Sequence, residues 1–137
     1  MGALDGQCFC GQSKLSCEGP ALKAVHCQCK DCQKLSGTGH LTNIVVAKGS
    51  AIVTGPLTVN EAQADSGNTN KRFFCSLCGS QMLRENSGMP DVSIIHAGTL
   101  NLPGVVKPEA VIWHKSAVHW DYTDPSVPVF EVMPPKV

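Results

Sequence analysis

The amino-acid sequence predicts an all-β fold: mainly strands with short helical turns, arranged as a sandwich or a folded pair of antiparallel sheets. Three observations carry this expectation. Short apolar, β-branched stretches recur along the chain. Thirteen glycines and nine prolines punctuate them with turns. No long stretch repeats with the 3.6-residue period of an amphipathic helix. A length of 137 residues points to one domain, 1–137.

Taken in order, Ser13–Cys17 and Leu22–Cys27 read as two strands around the turn Glu18-Gly19-Pro20. Residues i and i+2 of a strand share a face, so Cys27 and Cys29 should leave the second strand pointing the same way. Asp31–Ser36 reads as one helical turn stopped by Gly37. Asn43–Ala47 is apolar and β-branched, the pattern of a buried strand. Ala51–Thr54 and Leu57–Val59 follow around Gly55-Pro56. Asn60–Asn70 is polar, with Gly67 and three asparagines, and reads as a loop. Arg72-Phe73-Phe74 leads into Cys75, and Ser80–Arg84 continues the pattern. Val92–Ala97, Ala110–His114 and Val118–Tyr122 are further strand candidates. Val129–Val132 reads as an edge strand closed off by Pro134-Pro135.

Seven of the eight cysteines fall into three clusters: Cys8-Phe9-Cys10, Cys27-Gln28-Cys29-Lys30-Asp31-Cys32 and Cys75-Ser76-Leu77-Cys78. Disulfides within such tight pairs would close small strained rings. Thiolates one or two residues apart can instead turn toward one ion, and zinc takes sulfur ligands tetrahedrally. Cys8, Cys10, Cys75 and Cys78 supply four thiolates and close a structural site. Gly11 and Gly79 follow these pairs and permit the positive φ a zinc knuckle needs. Cys27, Cys29 and Cys32 supply three thiolates and leave a position for water, substrate or a histidine. A carboxylate or Cys17 would make this second site structural, and a Cys29–Cys32 disulfide would make it redox-active. Cys17 by itself reads as a small buried hydrophobe.

Alternation turns His26 away from the metal, and His96 reads as a satisfied core residue within an apolar run. His114 and His119, flanking a turn near two tryptophans, read as surface or packing residues. His40 is the histidine placed to return toward the second site. Ser36-Gly37-Thr38-Gly39 offers backbone amides and hydroxyls to an anionic ligand, giving Ser36, Gly37 and Gly39 as candidate binding residues, or else it ends the helical turn. A cap over the site by Asp65–Asn70 is expected, with Lys71 and Arg72 as anion partners or solvated surface residues.

Basic and acidic residues balance at 11 each, and no basic block forms, so the charge pattern of a nucleic-acid binder is missing. The beginning of the sequence has neither the basic nor the apolar region of a secretory signal, and no apolar run is long enough to span a membrane. The expectation is a cytoplasmic protein with reduced thiols available to metal.

The clusters, in this order and spacing, resemble the glutathione-dependent formaldehyde-activating enzyme family, which includes centromere-protein-V-like proteins. The likeness rests on Gly6–Gly11, His26–Gly37, Arg72–Ser80, Ala97–Leu100 and Pro128–Pro134, and covers about residues 4 to 134. It implies a β-tent-like fold with two zincs, a structural one on Cys8, Cys10, Cys75 and Cys78 and a catalytic-type one on Cys27, Cys29 and Cys32. The implied activity is addition of glutathione to formaldehyde, within a wider family acting on carbon–sulfur bonds. Many members carry Cys-His-Cys in the second cluster, where this chain has Gln28.

The expected function is therefore that of a zinc-dependent carbon–sulfur lyase acting on a glutathione or other thiol adduct, or on a small carbonyl compound. Cys27, Cys29, Cys32 and His40 are the candidate catalytic residues. Two alternatives remain: a non-catalytic zinc scaffold for a protein partner, and a pathway enzyme of the same fold acting on a larger carbonyl substrate.

Overall fold

The computed structural model describes residues 2–64 and 67–135. Strands account for 39% of the chain and helix for 12%, so the mainly β expectation holds. The chain divides into two compact units. The first comprises Met1–Leu22 and Ile44–Val106, the second Lys23–Asn43 and Lys107–Val137.

In the first unit, β1 (Gly6–Gln7), β2 (Lys14–Cys17) and β5 (Ala51–Thr54) form a three-stranded antiparallel sheet. Leu15 and Cys17 alternate inward along β2 while Lys14 and Ser16 face solvent. A second run of neighbours joins β4 (Leu41–Ala47), β9 (Val92–His96), β8 (Gln81–Asn86), β7 (Thr69–Cys75) and β6 (Leu57–Gln63). A bulge between Phe73 and Phe74 shifts the β7–β8 register just before Cys75. The core gathers Leu4, Leu15, Ile44, Val46, Met82, Ile95 and Leu100, with Cys8, Cys17 and Cys75 among them.

The hairpin β6–β7 corrects one expectation, since Asn60–Asn70 is not a loop. Strand β6 continues to Gln63 and β7 starts at Thr69. Pairing here rests on polar cross-strand partners, with Arg72 Nη2 donating to Asn60 Oδ1 at 2.8 Å and Lys71 3.7 Å from Glu61. Almost every β6 residue is exposed, so no apolar alternation marks the strand. Asp65 and Ser66 of the expected cap lie outside the described residues.

In the second unit, β3 (Lys23–Cys27) pairs in parallel with β10 (Ala110–Ile112). Helix α1 (Lys30–Ser36) follows β3 and ends at Gly37, whose φ of 76° is left-handed. Glycine is suited to that position because a Cβ there would be strained. Val25, Cys27, Cys32, Ala110 and Ile112 form the core, with Leu41, Trp113 and Phe130 against it.

Two expected strands here are different. Ala110–His114 stops at Ile112, because Trp113 adopts φ 60° and turns the chain into a 3-10 turn at His114–Ser116. The Val129–Val132 segment makes one parallel bridge, Val129 to Val111. Beyond it, Phe130, Glu131 and Val132 carbonyls accept from His114, Lys115 and Trp113 amides. Val118–Tyr122 is a turn closed by Asp121 N–H on Val118 O, 3.1 Å.

Candidate metal centres and active site

The closed cluster is built from two matching turns. Cys8 and Cys10 follow β1, Cys75 ends β7, and Cys78 lies in the turn before β8. Gly11 N–H closes onto Cys8 O and Gly79 N–H onto Cys75 O. Both glycines have φ of 80°, the left-handed conformation expected of them. Amides point at the sulfurs: Ser13 N donates to Cys8 Sγ at 3.2 Å and Leu77 N to Cys75 Sγ at 3.4 Å. The Ser80 hydroxyl, followed by its amide, holds the Cys78 thiol down to about 5.

The four sulfurs lie within 4.8 Å of one another, with Cys8–Cys10 at 3.5 Å and Cys10–Cys75 at 3.8 Å. A zinc tetrahedron with arms of roughly 2.3 Å has edges of about 3.8 Å. Both separations are close to such an edge, so the donor set fits such an ion. Cys17 belongs to neither cysteine group; it is buried, with its sulfur 3.7 Å from Gly19 O.

The second cluster brings Cys27, Cys29 and Cys32 together, also within 4.8 Å. Cys27 ends β3, Cys29 caps α1, and Cys32 lies in its first turn. Cys32 N–H donates to Cys29 Sγ at 3.3 Å, so the free amides of the helix start favour thiolate there. Hydrogen bonds from the Cys27 thiol, then from that of Cys32, hold Cys29 down to about 2, and the same sharing pushes Cys27 up. Three sulfurs gathered within 4.8 Å of one another are placed to hold one cation.

Beside them is Asn43, which is 5% exposed. Its Nδ2 is 4.0 Å from Cys32 Sγ, while its Oδ1 is buried with no hydrogen-bond partner. An orphaned buried acceptor next to a three-sulfur cup fits an open position occupied by a proton-bearing group such as water or a hydroxyl.

From Gln28, next to two of the cup cysteines in the chain, extends a polar network that sequence reasoning did not assemble; His40 belongs to this network and not to the three-sulfur group. Gln28, between two of the cysteines, is 2% exposed. Its Nε2 donates to Asp121 Oδ2 at 2.9 Å, and its Oε1 lies 2.8 Å from His114 Nδ1. The Asp121 carboxylate is also 2.9 Å from His40 Nδ1 through either oxygen. The edge of His26 meets the His40 ring at 4.7 Å between centroids, and His26 Nδ1 pairs with Thr42 Oγ1 at 2.8 Å. Burial, then the neighbouring His40, lowers the His26 pKa.

The Ser36–Gly39 segment is placed as follows. Ser36 Oγ bonds Gln33 O and accepts from Thr38 N–H, and Gly37 N–H is committed to Gln33 O. Gly39 is buried against Asp121.

The sequence pattern of the glutathione-dependent formaldehyde-activating enzymes matches residues 3–116. The chain belongs to the glutathione-dependent formaldehyde-activating enzyme family. A solved crystal structure of a Rhodobacter sphaeroides protein is similar at 19% identity, with a TM-score of 0.59. The likeness covers 91% of this chain and 98% of that one, and carries the fold alone. No match was found among curated proteins.

Within this family member, sequence reasoning missed Asp121 and gave His114 only a surface or packing role. No signal marks Asp121, which is one of two aspartates in the segment 117–137. His114 gains its role only from the turn at Trp113. His96 is buried as expected, but its Nε2 has no partner, so it is not a satisfied core residue. Gln28, in the position where many members carry histidine, is a neutral bridge between a histidine and a carboxylate.

Proposed function

We propose that this chain catalyses reversible addition of a small thiol, with glutathione as the leading candidate, to formaldehyde or a similarly small aldehyde. Carbon–sulfur bond formation and cleavage take place at the cup of Cys27, Cys29 and Cys32. The observation that carries this reading is the three-sulfur cluster with the orphaned acceptor Asn43 Oδ1 beside it; His40, held by the Asp121 carboxylate that also accepts from Gln28, is the base assigned to it. Membership of the family supports the choice of thiol and aldehyde.

Cys27, Cys29 and Cys32 would hold a zinc ion, which when bound supplies a positive centre for a thiolate sulfur or carbonyl oxygen. The chain's own groups do the rest. His40 takes the proton of the incoming thiol. The sulfur then forms its bond to the carbonyl carbon as the C=O π bond breaks, and the oxygen receives the proton back. The product is an S-hydroxymethyl thioether, and the reverse path cleaves the same bond. Asn43 Oδ1 accepts from the new hydroxyl, and Asn43 Nδ2 supports the Cys32 sulfur. Cys8, Cys10, Cys75 and Cys78 would hold a structural zinc that staples the first unit, and they take no part in the chemistry.

The test follows exchange between glutathione, formaldehyde and their adduct by two-dimensional exchange NMR. Wild type should accelerate exchange, and Cys29→Ser should reduce it to the uncatalysed rate with the fold retained. A Cys29→Ser protein that turns over like wild type would sink the mechanism. Larger aldehydes in the same assay separate formaldehyde from a bulkier carbonyl substrate.

A further inference from the structure

One group, the Asp121 carboxylate, sets the direction of the hydrogen bonds that join His40, Gln28 and His114. A carboxylate only accepts. Asp121 therefore takes an N–H from each side, from His40 Nδ1 and from Gln28 Nε2. With its NH2 turned to Asp121, Gln28 presents Oε1 to His114, which must carry its own proton on Nδ1.

We propose that Asp121 is a positioning residue for His40: it holds His40 as the Nδ1–H tautomer and leaves Nε2 as the basic nitrogen. The purpose of that nitrogen, accepting the thiol proton, rests on the function proposed above; the tautomer does not.

Separate parts of the unit are shaped to hold this arrangement. The Asp121 side chain is 6% exposed, so its charge is partly desolvated and its hydrogen bonds strengthened. Gly39 has no Cβ, and one built there would stand 2.4 Å from Asp121 Cβ and Cγ; the carboxylate stem lies directly on the backbone beside His40. Gln28 is anchored at both ends of its main chain, its N–H on Ile112 O and its O accepting from Gln33 Nε2. The same Gln33 amide bonds Ser116 O, which ties the 3-10 turn bearing His114 to α1. Trp113, the one non-glycine with positive φ among the described residues, turns that segment out of β10. A bulky residue in this conformation persists only where its surroundings enforce it.

The experiment reads the tautomer directly, using long-range proton–nitrogen correlation on protein with nitrogen-15-labelled histidine, above the histidine titration range. In wild type, His40 should be protonated on Nδ1 with Nε2 bare. Asp121→Asn is close to isosteric and offers one acceptor and one donor. Gln28 Nε2 still needs an acceptor, so the new amide turns its NH2 to His40 Nδ1 and moves the ring proton to Nε2. Turnover should then fall about 100-fold in kcat, the scale of a lost general base, with KM for glutathione unchanged. A wild-type His40 protonated on Nε2 overturns the proposal, as does a tautomer that Asp121→Asn leaves in place. The wild-type spectrum decides even if the variant fails to fold. Undiminished turnover in His40→Gln would remove the base reading of His40, while the spectrum still decides the role of Asp121.

Discussion

Replacing Gly39 by alanine tests whether the backbone beneath Asp121 is part of the site. A Cβ at Gly39 would stand 2.4 Å from Asp121 Cβ and Cγ and 2.6 Å from Oδ1. Carbon atoms in contact sit about 3.5–4.0 Å apart, so the aspartate must retreat by roughly 1 Å. The obstructed atoms are the stem of the side chain, so no rotation at its tip relieves the clash. Overpacking of this kind costs about 1–3 kcal/mol, and a hydrogen bond to a charged group contributes about 1.5–3 kcal/mol. Loosening the bonds to His40 and Gln28 along with the packing gives a total near 3 kcal/mol. Gly37→Ala is the control. Its φ of 76° is strained for alanine but a Cβ there meets nothing within 4 Å, so the cost is about 1 kcal/mol. With a urea slope of about 2 kcal/mol per molar, the midpoints should fall by roughly 1.5 M for Gly39→Ala and 0.5 M for Gly37→Ala. Equal shifts for the two variants would refute the claim that Asp121 seats on Gly39.

Asn43→Leu removes an orphaned acceptor at constant shape. The apoprotein should lose no stability and gain up to about 1 kcal/mol, while turnover falls roughly tenfold; retained turnover would free Asn43 of any part in the site. Cys75→Ser should abolish folding of the first unit, because structural zinc contributes on the order of 10 kcal/mol to small domains. Cys29→Ser should keep that unit folded, with near-ultraviolet dichroism and metal content as the readouts. His96 gives a pH dependence. Burial, with Arg84 and then Arg72 nearby, holds its pKa at about 3 against 6.5 when free. Below 6.5 the unfolded chain binds the proton that the folded one refuses, so stability falls as pH drops from 6.5 toward 3. The slope contributed is at most about 1.4 kcal/mol per pH unit. His96→Leu should lose less stability than wild type between pH 6.5 and 3 in acid unfolding; a profile with the wild-type slope would contradict the assignment.

What was legible in the sequence was what spacing encodes. The two cysteine groups, the glycines after the knuckle pairs and the Gly37 stop all follow from one-dimensional pattern, and the coordinates assemble them as expected. Strand β2 alternates inward and outward, so it too was visible. Strand β6 was not, because its partners are polar and its faces mostly exposed. The Asp121 network was illegible for a different reason. His40 Nδ1 reaches a carboxylate 81 residues away and Gln28 a histidine 86 residues away, and nothing local records either pairing. Even the Gly39 signal was ambiguous, fitting a backbone open to a ligand or the turn that ends a helix, and neither reading contained the Asp121 stem against which the glycine sits.

The central claim is that the second cluster is an open cup that takes the substrate's sulfur or oxygen. Zinc-edge X-ray absorption of the fully loaded protein, with and without glutathione, tests it most directly. Two zinc ions should share the seven clustered protein sulfurs, with a lighter donor completing the second site, and the spectrum should shift when glutathione is added. Two ions already saturated by sulfur or histidine, with a spectrum indifferent to glutathione, would contradict it.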